Sequence, residues 1–198
     1  MSFWTLAAFT DVNGPHKLSE SGASPEDSAR LFAWWAWSEA HRCAPPRDGS
    51  VIDATDYVET ASNILSAVLA DDPELLALGT EWCARKDALN KSSFLERVND
   101  VIVRVSTEFV NGLYTDPDDC HVAKAVVGYN PAKGSVTISL ADPISGVSCA
   151  EIARMLWGPL AGGHAGIAGS PRGEEMRLSE LARARDAMVA VLWGARHD

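Results

Sequence analysis

The stretch LAGGHAGIAGSPRG, residues 160–173, is the part of the sequence around which the rest is organised, and it holds five glycines in fourteen residues. Glycine has no Cβ, so it accepts positive φ and lets backbone N–H groups approach a bound group closely. His164, Ser170 and Arg172 add side chains that can donate to an anion, and an arginine donates as a two-pronged fork. The stretch therefore indicates either a phosphate or nucleotide cradle or a tight glycine connection between packed elements.

The sequence after this stretch predicts a helix from Glu174 to Trp193. A helix N-terminus presents unpaired N–H groups and a partial positive charge, which suits phosphate. In such a cradle we expect Gly163 or Gly169 at positive φ. The pattern does not fit a Walker loop, since the chain has no Gly-Lys pair, nor a dinucleotide fingerprint, since the preceding segment is predicted to be helical.

Residues 162–169, Gly-Gly-His-Ala-Gly-Ile-Ala-Gly, resemble the Gly-Gly-His-x-x-Ala-Ala-Gly signature of the DHH phosphoesterase superfamily. That signature belongs to the family's C-terminal, DHH-associated substrate-binding domain. Segments 135–140 and 147–154 are similar to a strand and a following short helix of that domain, so the resemblance covers residues 93–173. It implies that phosphate or nucleotide is bound by Gly162, Gly163, His164, Gly166, Gly169, Ser170 and Arg172.

In that family the substrate-binding domain closes on a larger domain that holds two divalent metals through Asp-rich motifs and an Asp-His-His triplet. It hydrolyses phosphoester bonds in oligonucleotides, cyclic dinucleotides or polyphosphate, and the two metals stabilise the attacking and leaving oxygens. This sequence has no Asp-His-His triplet. We therefore expect no metal site or other cofactor in this chain, with Mn or Mg bound only by a catalytic DHH domain.

The resemblance implies that this chain is the substrate-binding portion of a DHH-type phosphoesterase. Its partners would be a phosphorylated small molecule or oligonucleotide end and a separate catalytic chain. The family strand often carries an arginine that reaches the substrate, but residues 139–142 here are Ser-Leu-Ala-Asp. Arg172 is a candidate substitute for that arginine.

Length and composition set broad limits on the protein. The 198 residues carry a net charge of −10, which argues against a nonspecific nucleic-acid coat because phosphate affinity comes from clustered Lys and Arg. The four cysteines form no C-x-x-C pair, which argues against a zinc knuckle. The N-terminus lacks the features of an export signal, and no apolar run reaches the ~20 residues of a membrane span. We expect a cytoplasmic protein with reduced thiols and no membrane partner.

The pattern along the chain predicts an α+β fold. Residues 1–92 are expected to form a mainly helical segment, and residues 93–198 a substrate-binding domain with a small mixed β-sheet and flanking helices. A short apolar run also predicts an N-terminal strand, at 3–9, before a turn at 10–15. Capping and turn signals predict the other elements: helices from 24 onward, over 53–69, from 72 onward and over 148–157, and strands over 98–105, 122–129 and 135–140.

Three tryptophans lie close together at Trp34, Trp35 and Trp37. Such a cluster can stack on nucleic-acid bases, but it is more typical of a core or a subunit interface. It supports an alternative function from a different class: a non-catalytic interaction or dimerisation module, with a homodimer formed through this helix and a purely structural glycine loop.

A third hypothesis is an intact but unusual metallophosphoesterase. Carboxylates and histidine are suitable ligands for a divalent cation. Each candidate also has a local capping or turn role, which makes this hypothesis the least favoured. The candidate ligands are Asp11, Asp53, Asp56, Asp118, Asp119 and His121.

Overall fold

The computed structural model describes residues 2–43 and 53–194. The chain forms two compact units, Met1–Asp87 and Ala88–Asp198, which divide inside a long helix. Helices come first along the chain and a sheet follows, so the predicted α+β class with N-terminal helices is confirmed.

The first unit is built from helices. Their bounds are α1 Phe3–Asn13, a 3-10 helix Pro15–Glu20, α2 Pro25–Ala40, α3 Thr55–Leu69 and α4 Pro73–Ser93, of which α4 continues into the second unit. Ser24 caps α2 as predicted, since its Oγ accepts from the N–H of Asp27 at 3.1 Å, and Pro25 occupies the first turn.

The N-terminal strand predicted at 3–9 is wrong, because this segment belongs to α1. Ser2 caps the helix by accepting from the N–H of Thr5, and Thr10, where the turn was predicted to begin, lies inside the helix. Phe3, Leu6 and Thr10 are buried, and their spacing of three and four residues is that of a helix face. The predicted turn begins only at Gly14, where φ is 87°.

Helices α2 and the first part of α4 approach each other closely. A Cβ on Gly79 would lie 2.5 Å from the backbone nitrogen of Ala33. The indole N–H of Trp82 donates to Glu39 Oε2 at 2.7 Å, and Lys86 Nζ lies 3.0 Å from the same oxygen. Within this unit Trp37 is buried, so the tryptophan cluster contributes to the core of its own unit.

The second unit contains a six-stranded sheet with the order β1-β2-β3-β4-β6-β5. Its strands are β1 Phe94–Val98, β2 Val101–Val105, β3 Ala125–Asn130, β4 Ser135–Leu140, β5 Gly162–Gly163 and β6 Ile167–Gly169. The β2–β3 pair is parallel and the other pairs are antiparallel. The strand predicted over 98–105 is instead the turn and second strand of a hairpin, in which Asn99 has a φ of 54°.

Two helices cover one face of this sheet, α5 Cys149–Trp157 and α6 Leu178–Gly194. Their apolar side chains and those of the strands form one buried cluster, which includes Val103, Val127, Ile138, Ile152 and Met188. The capping box is present as predicted, since Ser148 Oγ accepts from the N–H of Glu151. Leu178, the first residue of α6, is 63% exposed.

The β2 residue Arg104 is fully buried. Its Nε donates to the carbonyl of Leu113 at 2.7 Å, and one Nη donates to the carbonyl of Thr115 at 2.8 Å. Its remaining hydrogen bonds go to Asn90 and to Ser93 Oγ, at the end of α4. Burial lowers the pKa of this guanidinium to about 10, although the negative charge of Asp116 acts to raise it. Arg104 thus joins α4, β2 and the segment 113–115.

We expect Arg104→Met to lower the free energy of unfolding of the second unit by about 3 kcal/mol or more, because it leaves several buried acceptors without a donor. Urea unfolding followed by circular dichroism measures this change. Arg154→Met is the matched control: Arg154 is exposed on α5, and its substitution is expected to change stability by no more than about 0.5 kcal/mol. Equal stabilities of the two variants would contradict the structural role of Arg104.

Candidate functional site

The glycine stretch forms a β-hairpin at the edge of the sheet. Gly162 pairs with Gly169 and Gly163 pairs with Ala168, while β6 also pairs with β4. The N–H of His164 donates to the carbonyl of Ile167 at 2.6 Å and closes the turn. We call Ala165 and Gly166, between these two residues, the hairpin tip.

The glycines of the hairpin differ in what the fold demands of them. Gly163 has a φ of 156°, and a Cβ there would overlap the carbonyl oxygen of Ile167 and lie 2.6 Å from Cα of Ala168. A Cβ on Gly169, which lacks a positive φ, would lie 3.2 Å from Thr137 Cγ2. Gly162 and Gly166 have neither a positive φ nor a described atom within 4 Å of an added Cβ. The fold therefore requires glycine at position 163 but not at positions 162 and 166.

The hairpin tip has paired carbonyls and unpaired N–H groups. The carbonyl of Ala165 accepts from the N–H of Cys149 at 2.8 Å, and the carbonyl of Gly166 accepts from the N–H of Leu140 at 2.9 Å. Within the described residues, the N–H groups of Ala165 and Gly166 donate to no acceptor, and both residues are exposed. Adjacent N–H groups without acceptors carry partial positive charge and suit an anion.

The polar side chains of the stretch behave differently from one another. His164 and Arg172 are exposed, and neither side chain makes a hydrogen bond or ion pair with the part of the chain that the structure describes. Ser170 extends the sheet: its N–H donates to the carbonyl of Val136 at 2.9 Å, and its Oγ accepts from the N–H of Val136 at 3.2 Å. Ser170 thus has a structural role at the end of β6.

The seven candidate residues do not meet at one point. Gly163, His164 and Gly166 lie at or next to the tip, whereas Gly162, Gly169, Ser170 and Arg172 lie at or beyond the other end of β6. A strand rises about 3.3 Å per residue, so Ile167 and Ser170 are separated by roughly 10 Å. A ligand that contacts both ends of the hairpin must be extended.

The helix predicted to start at Glu174 begins later, at Leu178. The N–H of Met176 donates to the carbonyl of Gly134 at 2.7 Å, and Tyr129 Oη donates to the carbonyl of Met176 at 3.2 Å. These bonds tie the segment to the β3–β4 hairpin in place of a helical turn. The predicted helix start directly after the glycines is therefore wrong. Unpaired N–H donors lie instead at the hairpin tip, within the described residues.

Three residues of the metal hypothesis, Asp53, Asp119 and His121, make local contacts. Arg97 donates to both carboxylate oxygens of Asp119, at 3.0 and 2.7 Å, which lowers the pKa of that carboxyl. His121 Nε2 lies 3.1 Å from Asp100 Oδ1, and Asp53 accepts from the N–H of Thr55. In residues 2–43 and 53–194, no group of three or more His, Cys, Asp or Glu side chains is placed to hold a metal ion.

Sequence reasoning missed the backbone groups that build the tip, since these groups have no side-chain pattern. The Cys149 N–H anchors the tip, and the thiol of this residue is buried. Burial raises the pKa of the Cys149 thiol to about 11, so it is protonated at neutral pH and is not a nucleophile. The four cysteines are free.

Comparison of the sequence with models of known protein families gave no match, and a search of curated proteins likewise gave none. Among the helices of residues 2–43 and 53–194, none has the length and apolar character to cross a membrane.

We expect Gly163→Ala to destabilise the second unit by at least about 2 kcal/mol, because the new Cβ meets backbone atoms that cannot rotate away. Gly162→Ala adds the same methyl group to the neighbouring residue in open space and is expected to change stability by no more than about 0.5 kcal/mol. Thermal and urea unfolding of the two variants measure the difference. A Gly163→Ala protein as stable as Gly162→Ala would contradict the described hairpin geometry.

Proposed function

We propose that the second unit binds the phosphate-bearing end of a nucleotide or oligonucleotide, as the substrate-binding portion of a DHH-type phosphoesterase. The observation that carries this proposal is the hairpin tip, where the carbonyls of Ala165 and Gly166 are paired and their N–H groups are not. The likeness of residues 162–169 to the family signature supports the same function.

The glycines that the fold does not require are consistent with close approach of a ligand. An added Cβ at Gly162 or Gly166 meets no described atom, so packing within the chain does not explain why glycine occupies these positions. In this proposal the space is needed for a bound phosphate, which a side chain would keep at a distance. In this proposal the tip N–H groups and the His164 imidazole donate to one phosphate. Arg172 pairs with a second anionic group beyond the other end of β6. The roughly 10 Å between Ile167 and Ser170 favours an extended ligand over inorganic phosphate.

The chemical step is assigned to a catalytic domain outside these 198 residues, because this sequence lacks the Asp-His-His triplet. That domain would carry the Mn or Mg ions, which stabilise the attacking and leaving oxygens of phosphoester hydrolysis. The residues of this chain would hold the substrate end in place for that reaction. We propose the cytoplasm as the location, since the four free thiols suit a reducing compartment.

The alternative, a homodimer formed through the tryptophan helix, has less support. Trp37 is buried inside its own unit, where it stacks on Trp34 with ring centroids 5.4 Å apart. The face that contains Trp37 is therefore not available to a second copy.

Titration of the dinucleotide pApA into the purified full chain tests the proposal by calorimetry. We expect Arg172→Ala to weaken binding by about 1.5–3 kcal/mol, roughly ten- to a hundredfold, through loss of a charge-assisted contact. Its stability is expected to stay within about 0.5 kcal/mol of the parent, since the side chain is exposed and unpaired within the described residues. We expect His164→Ala to weaken binding in the same direction.

Arg177→Ala is the matched control, because Arg177 is also exposed in the second unit but lies five residues further along the chain. It removes the same charge and is expected to leave the affinity for pApA almost unchanged. If the Arg172 and His164 variants bind pApA as tightly as the parent does, these residues do not bind phosphate and the hairpin has only a structural role.

A further inference from the structure

The first unit carries a groove of about 640 Å³ between its first two long helices, lined by residues of α1, α2 and the turn after α1. The α1 residues that line it are Trp4, Ala7, Ala8, Thr10 and Asp11, of which Thr10 is buried. Relative to Trp4, the positions of Ala7, Ala8 and Asp11 are three, four and seven residues further on, so these four residues lie on one side of the helix. Trp34 and Trp35 of α2 complete the aromatic lining.

Helix α1 is apolar on two sides. One side is buried in its own unit through Phe3 and Leu6, which pack with Leu31. On the groove side, Trp4 is 61% exposed, and its ring is held edge-on by Phe3 with centroids 5.4 Å apart. A helix that is apolar on both sides normally has both sides covered, and an exposed aromatic surface with a polar edge marks an interaction site.

The groove also offers unused polar groups. The indole N–H groups of Trp82 and Trp157 donate to carboxylates, whereas those of Trp4, Trp34 and Trp35 have no acceptor within the described part of the chain. Asp11 is exposed and makes no ion pair with any described residue. The groove thus presents aromatic faces, N–H donors and one carboxylate. A ligand that complements this groove has apolar rings, free carbonyl groups and one positive charge.

We propose that this groove binds a proline-rich peptide in the polyproline II conformation, with an arginine or lysine three positions from a proline. Polyproline II has no internal hydrogen bonds, so its carbonyls are free to accept from the indole N–H groups. Its proline rings pack on aromatic faces, and its rigidity reduces the entropy lost on binding.

The spacing of the groove sets the position of the basic residue. Trp4 and Asp11 are seven residues apart on a helix, which is about 10 Å along its axis. One turn of polyproline II contains three residues and advances about 9 Å. A proline on Trp4 therefore places the residue three positions away beside Asp11. A basic side chain there pairs with the carboxylate and complements the net charge of −10.

Fluorescence anisotropy with a labelled ten-residue peptide, nine prolines and one central arginine, tests the proposal on the full chain. We expect saturable binding. We expect Trp4→Ala to weaken it at least tenfold, as loss of an aromatic anchor does. Asp11→Asn is expected to weaken binding of this peptide about two- to fivefold and to leave unchanged the binding of a peptide with glutamine in place of arginine.

Trp193→Ala is the matched control, since Trp193 is a similarly exposed tryptophan of the second unit, and it is expected to bind as the parent does. Circular dichroism confirms that each variant is folded. Three results would overturn the proposal: no saturable binding up to about 1 mM peptide, equal affinity for a peptide with alanine in place of proline, or unchanged affinity in folded Trp4→Ala. Light scattering that shows a dimer dissociated by Trp4→Ala would also overturn it, by assigning the groove to a second copy.

Discussion

The close approach of Gly163 to the backbone of Ile167 and Ala168 is the constraint on which the site depends. Only a residue without a Cβ fits at this point, and the hairpin closes because of it. Once closed, the hairpin directs the carbonyls of Ala165 and Gly166 to the N–H groups of Cys149 and Leu140. The tip N–H groups are then left as the unpaired donors. The arrangement of donors and acceptors at the tip thus comes from backbone geometry.

Packing on both faces of the sheet holds this hairpin in position. On one face, α5 and α6 form the main apolar cluster with the strands, and the first residue of α5 anchors the tip. On the other, Arg104 donates to carbonyls of the segment 113–115. Asn111, two residues before that segment, is bonded to β4, since its side-chain oxygen accepts from Thr137 Oγ1 at 3.0 Å. Thr137 pairs with Gly169 in β6, so a chain of contacts links the buried arginine to the hairpin.

Elements with local signals were predictable from the sequence. The caps at Ser24 and Ser148 mark helix starts, because a hydroxyl that accepts from an N–H acts within one turn. The segment 3–9 was mispredicted because a short apolar run has no decisive period. The sequence around Glu174 favours a helix, but the N–H of Met176 donates to the carbonyl of Gly134 instead. This hydrogen bond is long-range, so no local sequence signal indicates it. The glycines of the site were visible in the sequence, but only their three-dimensional surroundings separate Gly163, required by the fold, from Gly162 and Gly166.

Amide chemical shifts report directly on the tip N–H groups, which are the proposed donors to phosphate. Titration of pApA into ¹⁵N-labelled protein, followed by ¹H–¹⁵N correlation spectra, is therefore the most direct test of this role. We expect saturable shifts of the Ala165 and Gly166 amides, with Gly112 as an unmoved reference in the same unit. Unchanged Ala165 and Gly166 resonances at saturating pApA, or shifts confined to other residues, would contradict phosphate binding at the tip.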